Sequence, residues 1–197
     1  MKIKLVITSA VLIFAAFLGW LFVESSKPLP GQKFDNEGRD HVEISTEVSY
    51  KTNPPTSGKH YSDWIRAGIY DEPKDDRNLV HSLEHGYVII SYNCDKKGTV
   101  YAHGIEDEAS SSSTEATSSA LPTSFTSEDC HKLVDQLISI YEKKGKKKII
   151  VVPRPNLDSR IALSAWTYLD KFDTFDQVRI EKFIDAHRDQ GPERTME

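Results

Sequence analysis

The chain has 197 residues, of which 38% are hydrophobic and 28% charged, and it carries a net charge of -5 at neutral pH. This is material for one domain with a packed core, and two would be crowded. The mild acidity offers no basic surface to a phosphate backbone, which excludes nucleic-acid binding as a function class.

The first predicted element is a helix from Leu5 to Val23, an uncharged run whose length of about 19 residues suits a crossing of ~30 Å of hydrocarbon. Lys2 and Lys4 precede it, and basic flanks stay on the cytoplasmic side, so the chain after Glu24 is expected outside the cytoplasm. A cleavable signal peptide is the rival reading, because Val23-Glu24-Ser25 loosely resembles the pattern before a cleavage site. The length of the run and its bulky Trp20 and Phe22 favour a retained single-pass anchor in the cytoplasmic membrane. The expected organisation is an anchor over 1–24, a flexible tether over 25–40 and an exported domain over 41–197. The membrane is then the one partner the sequence names, and it leaves any protein partner unknown.

Within the domain, Val42, Ile44 and Val48 suggest a short strand. The segment Asn53-Pro54-Pro55-Thr56-Ser57-Gly58 then forces an irregular turn that delivers His60, Tyr61 and Trp64. Leu79 to Tyr92 (LVHSLEHGYVIISY) ends in a β-branched and aromatic run that reads as a central strand entered through a turn or two of helix. Glu106 to about Thr126 is polar, serine-rich and low in complexity, and is expected to be a disordered loop. A helix is predicted from near Thr126 to Lys144 with Leu133, Leu137 and Tyr141 on one face, followed by a strand over Lys147–Val152. Ile161 to Phe172 alternates as a half-buried strand, and Thr174 with Gln177 forms a capping box for a last helix. The expected fold class is α+β, a mostly antiparallel sheet with two packed helices behind one N-terminal transmembrane helix.

Cys94 and Cys130 lie in the exported part, where thiols pair. Their disulfide would close a loop of about 35 residues, worth on the order of 3 to 4 kcal/mol. Free buried thiols are the alternative, and no C-x-x-C spacing supports redox catalysis.

The densest chemistry is in HSLEHG. His81 and His85, four residues apart, project from one face of a helical turn, Glu84 lies between them, and His60 arrives from the preceding turn. Imidazole is the commonest metal ligand, so His60, His81 and His85 with Glu84 as fourth ligand or orienting partner form a candidate site for Zn or Cu(II). With methionine present only as Met1 and Met196, a thioether Cu(I) carrier is disfavoured. H-x-x-E-H also matches a metalloprotease signature, but that signature needs a long helix, and here Gly86 and a β-branched run follow at once. Histidines satisfied by main-chain groups, with no metal, are the competing reading. His187 falls on an apolar helix stripe and reads as a packing residue; His41, His103 and His131 read as surface groups. Asp158, Asp170 and Asp173 read as turn or capping residues, and Lys143–Lys148 as a solvated helix end.

TNPPTSGKHYSDW (Thr52–Trp64), GIYDEP (Gly68–Pro73), LVHSLEHGYVIISY (Leu79–Tyr92), the segment around Ala165-Trp166 and the closing GPE (Gly191–Glu193) together resemble a bacterial family, domain of unknown function 3105. The resemblance spans His41 to the C-terminus and implies a membrane-anchored exported domain without an assigned activity or cofactor. It includes His60, His81, Glu84 and His85, and departs from the family pattern where Lys59 replaces proline and where His187 replaces an aromatic residue. Three functions follow as expectations. The first is a non-catalytic or weakly catalytic extracytoplasmic metal-binding domain; the others are a structural or partner-binding module of the cell envelope and a metal-dependent hydrolase.

Overall fold

In the computed structural model of the chain, residues 12–20, 28–96, 121–193 and 195 are described. Of the expected membrane run, residues 12–20 form a helix (α1) and the remainder lies outside the described residues. Among the described residues no helix is long and apolar enough to cross a membrane.

The domain is an α+β structure around one six-stranded sheet. Its strands are β1 (Gln32–Lys33), β2 (Gly68–Ile69), β3 (Val88–Tyr92), β4 (Ile149–Pro153), β5 (Ile161–Ala165) and β6 (Tyr168–Phe172), in the spatial order β1-β6-β5-β3-β4-β2. The expectation of a mostly antiparallel sheet is corrected, because the sheet is mixed. β3 pairs parallel with β4, and β4 parallel with β2, while β3-β5, β5-β6 and β6-β1 are antiparallel. The cause is the helix between β3 and β4, α3 (Glu128–Lys143). A crossover of that length returns the chain in the same direction, whereas a tight hairpin reverses it.

Parallel centres are covered on both faces, and β3 is buried at every position. Val88 and Ile90 face α3 and α4 (Gln177–His187), packing with Leu137, Ile140, Phe183 and Ile184. Ile89 faces the other way, toward Leu79 and Leu83 of α2 (Asp76–Glu84), joined by Ile150 and Val152. The short helix α2 is therefore held on its own face of the sheet, opposite α3 and α4, and it carries the candidate residues.

Several local expectations are corrected. The Ile161–Phe172 segment is two strands folded on each other at Trp166 and Thr167, the latter at φ 63°. Alternation survives a hairpin, so it did not mark the turn. No strand forms over 42–48, where Ile44 is exposed; the neighbouring His41 makes an isolated bridge with His60. The tether expected over 25–40 contains β1, two residues too few to show a period. Residues 121–126, expected in the disordered loop, include a 3-10 turn at Thr123–Thr126 with Phe125 buried; the serine-rich stretch before them lies outside the described residues. The last helix is capped by Asp176, which accepts from the Arg179 N–H, rather than by Thr174, and α3 by Ser127 rather than Thr126. Cys94 and Cys130 Sγ lie 2.03 Å apart, at disulfide distance.

Candidate metal centre

The cap of α2 is Asp75, whose carboxylate accepts from the Arg77 N–H and side chain. From that start, nine helical residues turn His81 and Glu84 toward the loop that precedes the helix, and His85 follows as the capping residue at the C-terminal end. Gly86, at φ 81°, lets the chain turn immediately into β3. A Cβ at Gly86 would stand 2.9 Å from the backbone of Asp189, so a side chain has no room there.

The loop contributes two histidines. Val42 N–H donates to the His60 carbonyl (2.8 Å) and His60 N–H to the Asp40 carbonyl (3.1 Å), a bridge that sets His41 and His60 side by side. His41, expected on the surface as an isolated group, is exposed yet belongs to the cluster. Its ring centroid is 4.9 Å from those of both His60 and His81.

Hydrogen bonding fixes the tautomers. His60 Nδ1 lies 2.8 Å from the Gly58 carbonyl, and His81 Nδ1 2.8 Å from the Tyr61 carbonyl. Carbonyls only accept, so each Nδ1 carries the hydrogen and each neutral ring presents its Nε2 lone pair to the interior. Burial pushes the His81 ring down to about 4, which keeps it neutral at physiological pH despite the bond to Tyr61. This main-chain support of Nδ1 is the arrangement that orients metal-ligating histidines.

The two Nε2 lone pairs are partnered differently: that of His60 meets an acceptor, whereas that of His81 accepts from His85 Nε2–H. His60 Nε2 is 2.8 Å from Glu84 Oε2, without a hydrogen to join them while the ring is neutral. Such a contact requires a proton between the two atoms, carried by the ring or by the carboxyl group, or a cation that both atoms share. Glu84 is itself buried, at 3% exposure, and its other oxygen faces the mostly exposed Arg39 at 3.8 Å. His81 Nε2 lies 3.0 Å from His85 Nε2, and His85 Nε2 lies 3.8 Å from Glu193 Oε2. Ligand atoms of His41, His60, His81 and Glu84 all fall within 4.8 Å of one another, as do those of His81, His85 and Glu193. A tetrahedral ion with bonds of ~2.0 to 2.1 Å needs its donors roughly 3 to 4 Å apart. The cluster is compatible with metal binding.

Of the four residues expected as one ligand set, His60, His81 and Glu84 share a group, whereas His85 sits in the second group with Glu193. Sequence reading missed His41, which has no local pattern linking it to His60, and Glu193, which was seen only as part of a closing motif. Glu84 turns inward among the rings, which favours it as a ligand over a general base in a hydrolytic site. His187 packs between Tyr168 and Phe183 and bonds the Pro30 carbonyl, away from the cluster; His131 is exposed, and His103 lies outside the described residues. Lys148, expected in a solvated turn, is buried, and its ammonium bonds the carbonyls of His85 and Thr195 and the Asp189 carboxylate.

A family model described as "Protein of unknown function (DUF3105)" matches residues 41–197. The chain belongs to this family. The match takes in His41, all of HSLEHG and Glu193, so both ligand groups lie inside the family domain. No curated protein and no solved structure matches the chain.

Proposed function

We propose that this member of the DUF3105 family is a metal-binding domain that takes one divalent transition-metal ion, Zn(II) or Cu(II), through His41, His60, His81 and Glu84. The observation that carries the reading is the pair of buried imidazoles with Nδ1 committed to main-chain carbonyls and Nε2 aimed inward, one of them at a carboxylate 2.8 Å away. Three imidazoles and one carboxylate suit Zn(II) and Cu(II). The uncharged run Leu5–Val23 behind Lys2 and Lys4 supports placing the domain outside the cytoplasm on a membrane anchor.

The test is calorimetric titration of the metal-stripped full chain in detergent. One equivalent of Zn(II) or Cu(II) is expected to bind with Kd below ~10 μM, and His60→Gln to weaken it at least ~10-fold. No binding in that range would leave the histidines as hydrogen-bonded scaffold and return the domain to a structural or partner-binding role.

A further inference from the structure

The two ligand groups have one atom in common. His81 Nδ1 donates to the Tyr61 carbonyl, so its ring has a single lone pair, at Nε2, and that nitrogen is the candidate ligand in both groups. An ion held with His41, His60 and Glu84 and an ion held with His85 and Glu193 therefore compete for His81. They cannot be bound together.

The second group is a built feature of the fold. Asp189 N–H donates to the Gly86 carbonyl (2.9 Å) and Glu193 N–H to the Glu84 carbonyl (3.0 Å), which lays the C-terminal strap along the end of α2. A Cβ at Gly191 would come within 2.1 Å of the Glu84 carbonyl oxygen, so the close approach depends on glycine there. The buried Lys148 ammonium ties the strap to His85 through Asp189 and the carbonyls of His85 and Thr195. The Glu193 side chain, 52% exposed, is thereby held 3.8 Å from His85 Nε2. On the other side of His81, His41 is exposed and in ring contact with both His60 and His81, whereas His60, Glu84, His81 and His85 are buried.

We propose that His81, His85 and Glu193 form a second coordination position for the same borderline divalent cation, so that one ion can pass between a position open to solvent at His41 and one open at Glu193. This rests on the metal-binding reading above. Moving across, the ion breaks its bonds to His41, His60 and Glu84, keeps His81 Nε2, and forms bonds to His85 Nε2 and a Glu193 oxygen. The hydrogens on the Nδ1 atoms of His60 and His81 stay on their carbonyls, the ion displaces any proton on His85 Nε2 to solvent, and no electron is transferred.

The probe is Cu(II), followed by calorimetry and by electron paramagnetic resonance on the full chain. Wild type is expected to bind one ion. His60→Gln disables the first position and is expected to retain one ion, bound at least ~10-fold more weakly. In that background, His85→Gln or Glu193→Gln should each cost a further ~10-fold or more and change the Cu(II) spectrum, whereas His41→Gln should do neither. Two ions bound to wild type would overturn the sharing of one ion through His81, and residual binding that depends on His41 but not on His85 and Glu193 would overturn the second position; either result leaves metal binding intact. No ion bound to wild type would overturn both. Thermal melts of each metal-free variant check folding, and Glu193→Asp, which shortens the reach of an exposed carboxylate, supplies an independent variant should His85→Gln melt early.

Discussion

His187 and His81 show how one residue type takes opposite roles in the same domain. His187 is enclosed by Tyr168 and Phe183, with Nε2–H donating to the Pro30 carbonyl. Burial lowers its pKa below the ordinary imidazole value, the bond to Pro30 opposing only in part. Because the folded pKa is depressed, the unfolded chain binds the proton more readily. The contribution of the neutral ring is complete above about pH 6.5 and is lost as pH falls below it. In metal-free protein, His187→Phe is expected to lose less stability than wild type between pH 7.5 and 5.5, measured by urea denaturation at each pH. An equal loss in both would remove His187 from the acid response. Its place on an apolar helical stripe was visible in the sequence. That of His41 was not, since its neighbours belong to strands of chain distant in sequence and joined only by a backbone bridge.

The element that matters most is α2, and its existence was only half legible. HSLEHG marked the last turn, but the helix extends back to Asp76 through DRNLV, a polar opening that carries little periodicity. The Asp75 cap compensates, and the Arg77 side-chain bond holds its carboxylate below the usual range. The cap therefore persists at neutral pH and weakens only as the pH falls into strongly acid conditions. Asp75→Ala is expected to destabilise the domain by ~1 kcal/mol, read as a lowered urea midpoint, with a parallel loss of Cu(II) affinity because α2 carries His81 and Glu84. Affinity unchanged in a destabilised variant would show that the ligands are held by β3 and the loop rather than by the cap. The hairpin of β5 and β6 illustrates the opposite limit, since its alternation was plain while its reversal at Thr167 was silent.

For the whole molecule, the covalent link matters because it joins the end of β3 to the first turn of α3 and spans a sequence separation of 36. Replacing both cysteines by serine is expected to cost on the order of 3 kcal/mol by freeing the unfolded chain, read as a lower denaturation midpoint. Metal affinity should persist, because α2 and its histidines lie on the opposite face of the sheet from α3. Loss of both together would mean that the two layers unfold as one cooperative unit with no separate stability at the centre.

Composition and local pattern by themselves determined the α+β class, the apolar N-terminal run, the cysteine pair as the candidate cross-link, and His60, His81, Glu84 and His85 as candidate ligands. These are properties of short windows, where spacing along the chain translates directly into a face or a turn. Tertiary structure alone decided that the sheet is mixed, that His41 joins the cluster and that Glu193 reaches His85. It also split the four expected ligands between two groups that meet at one nitrogen. The reason is that these facts depend on where a crossover helix returns and where a terminal strap is tied, and such contacts join segments far apart in sequence.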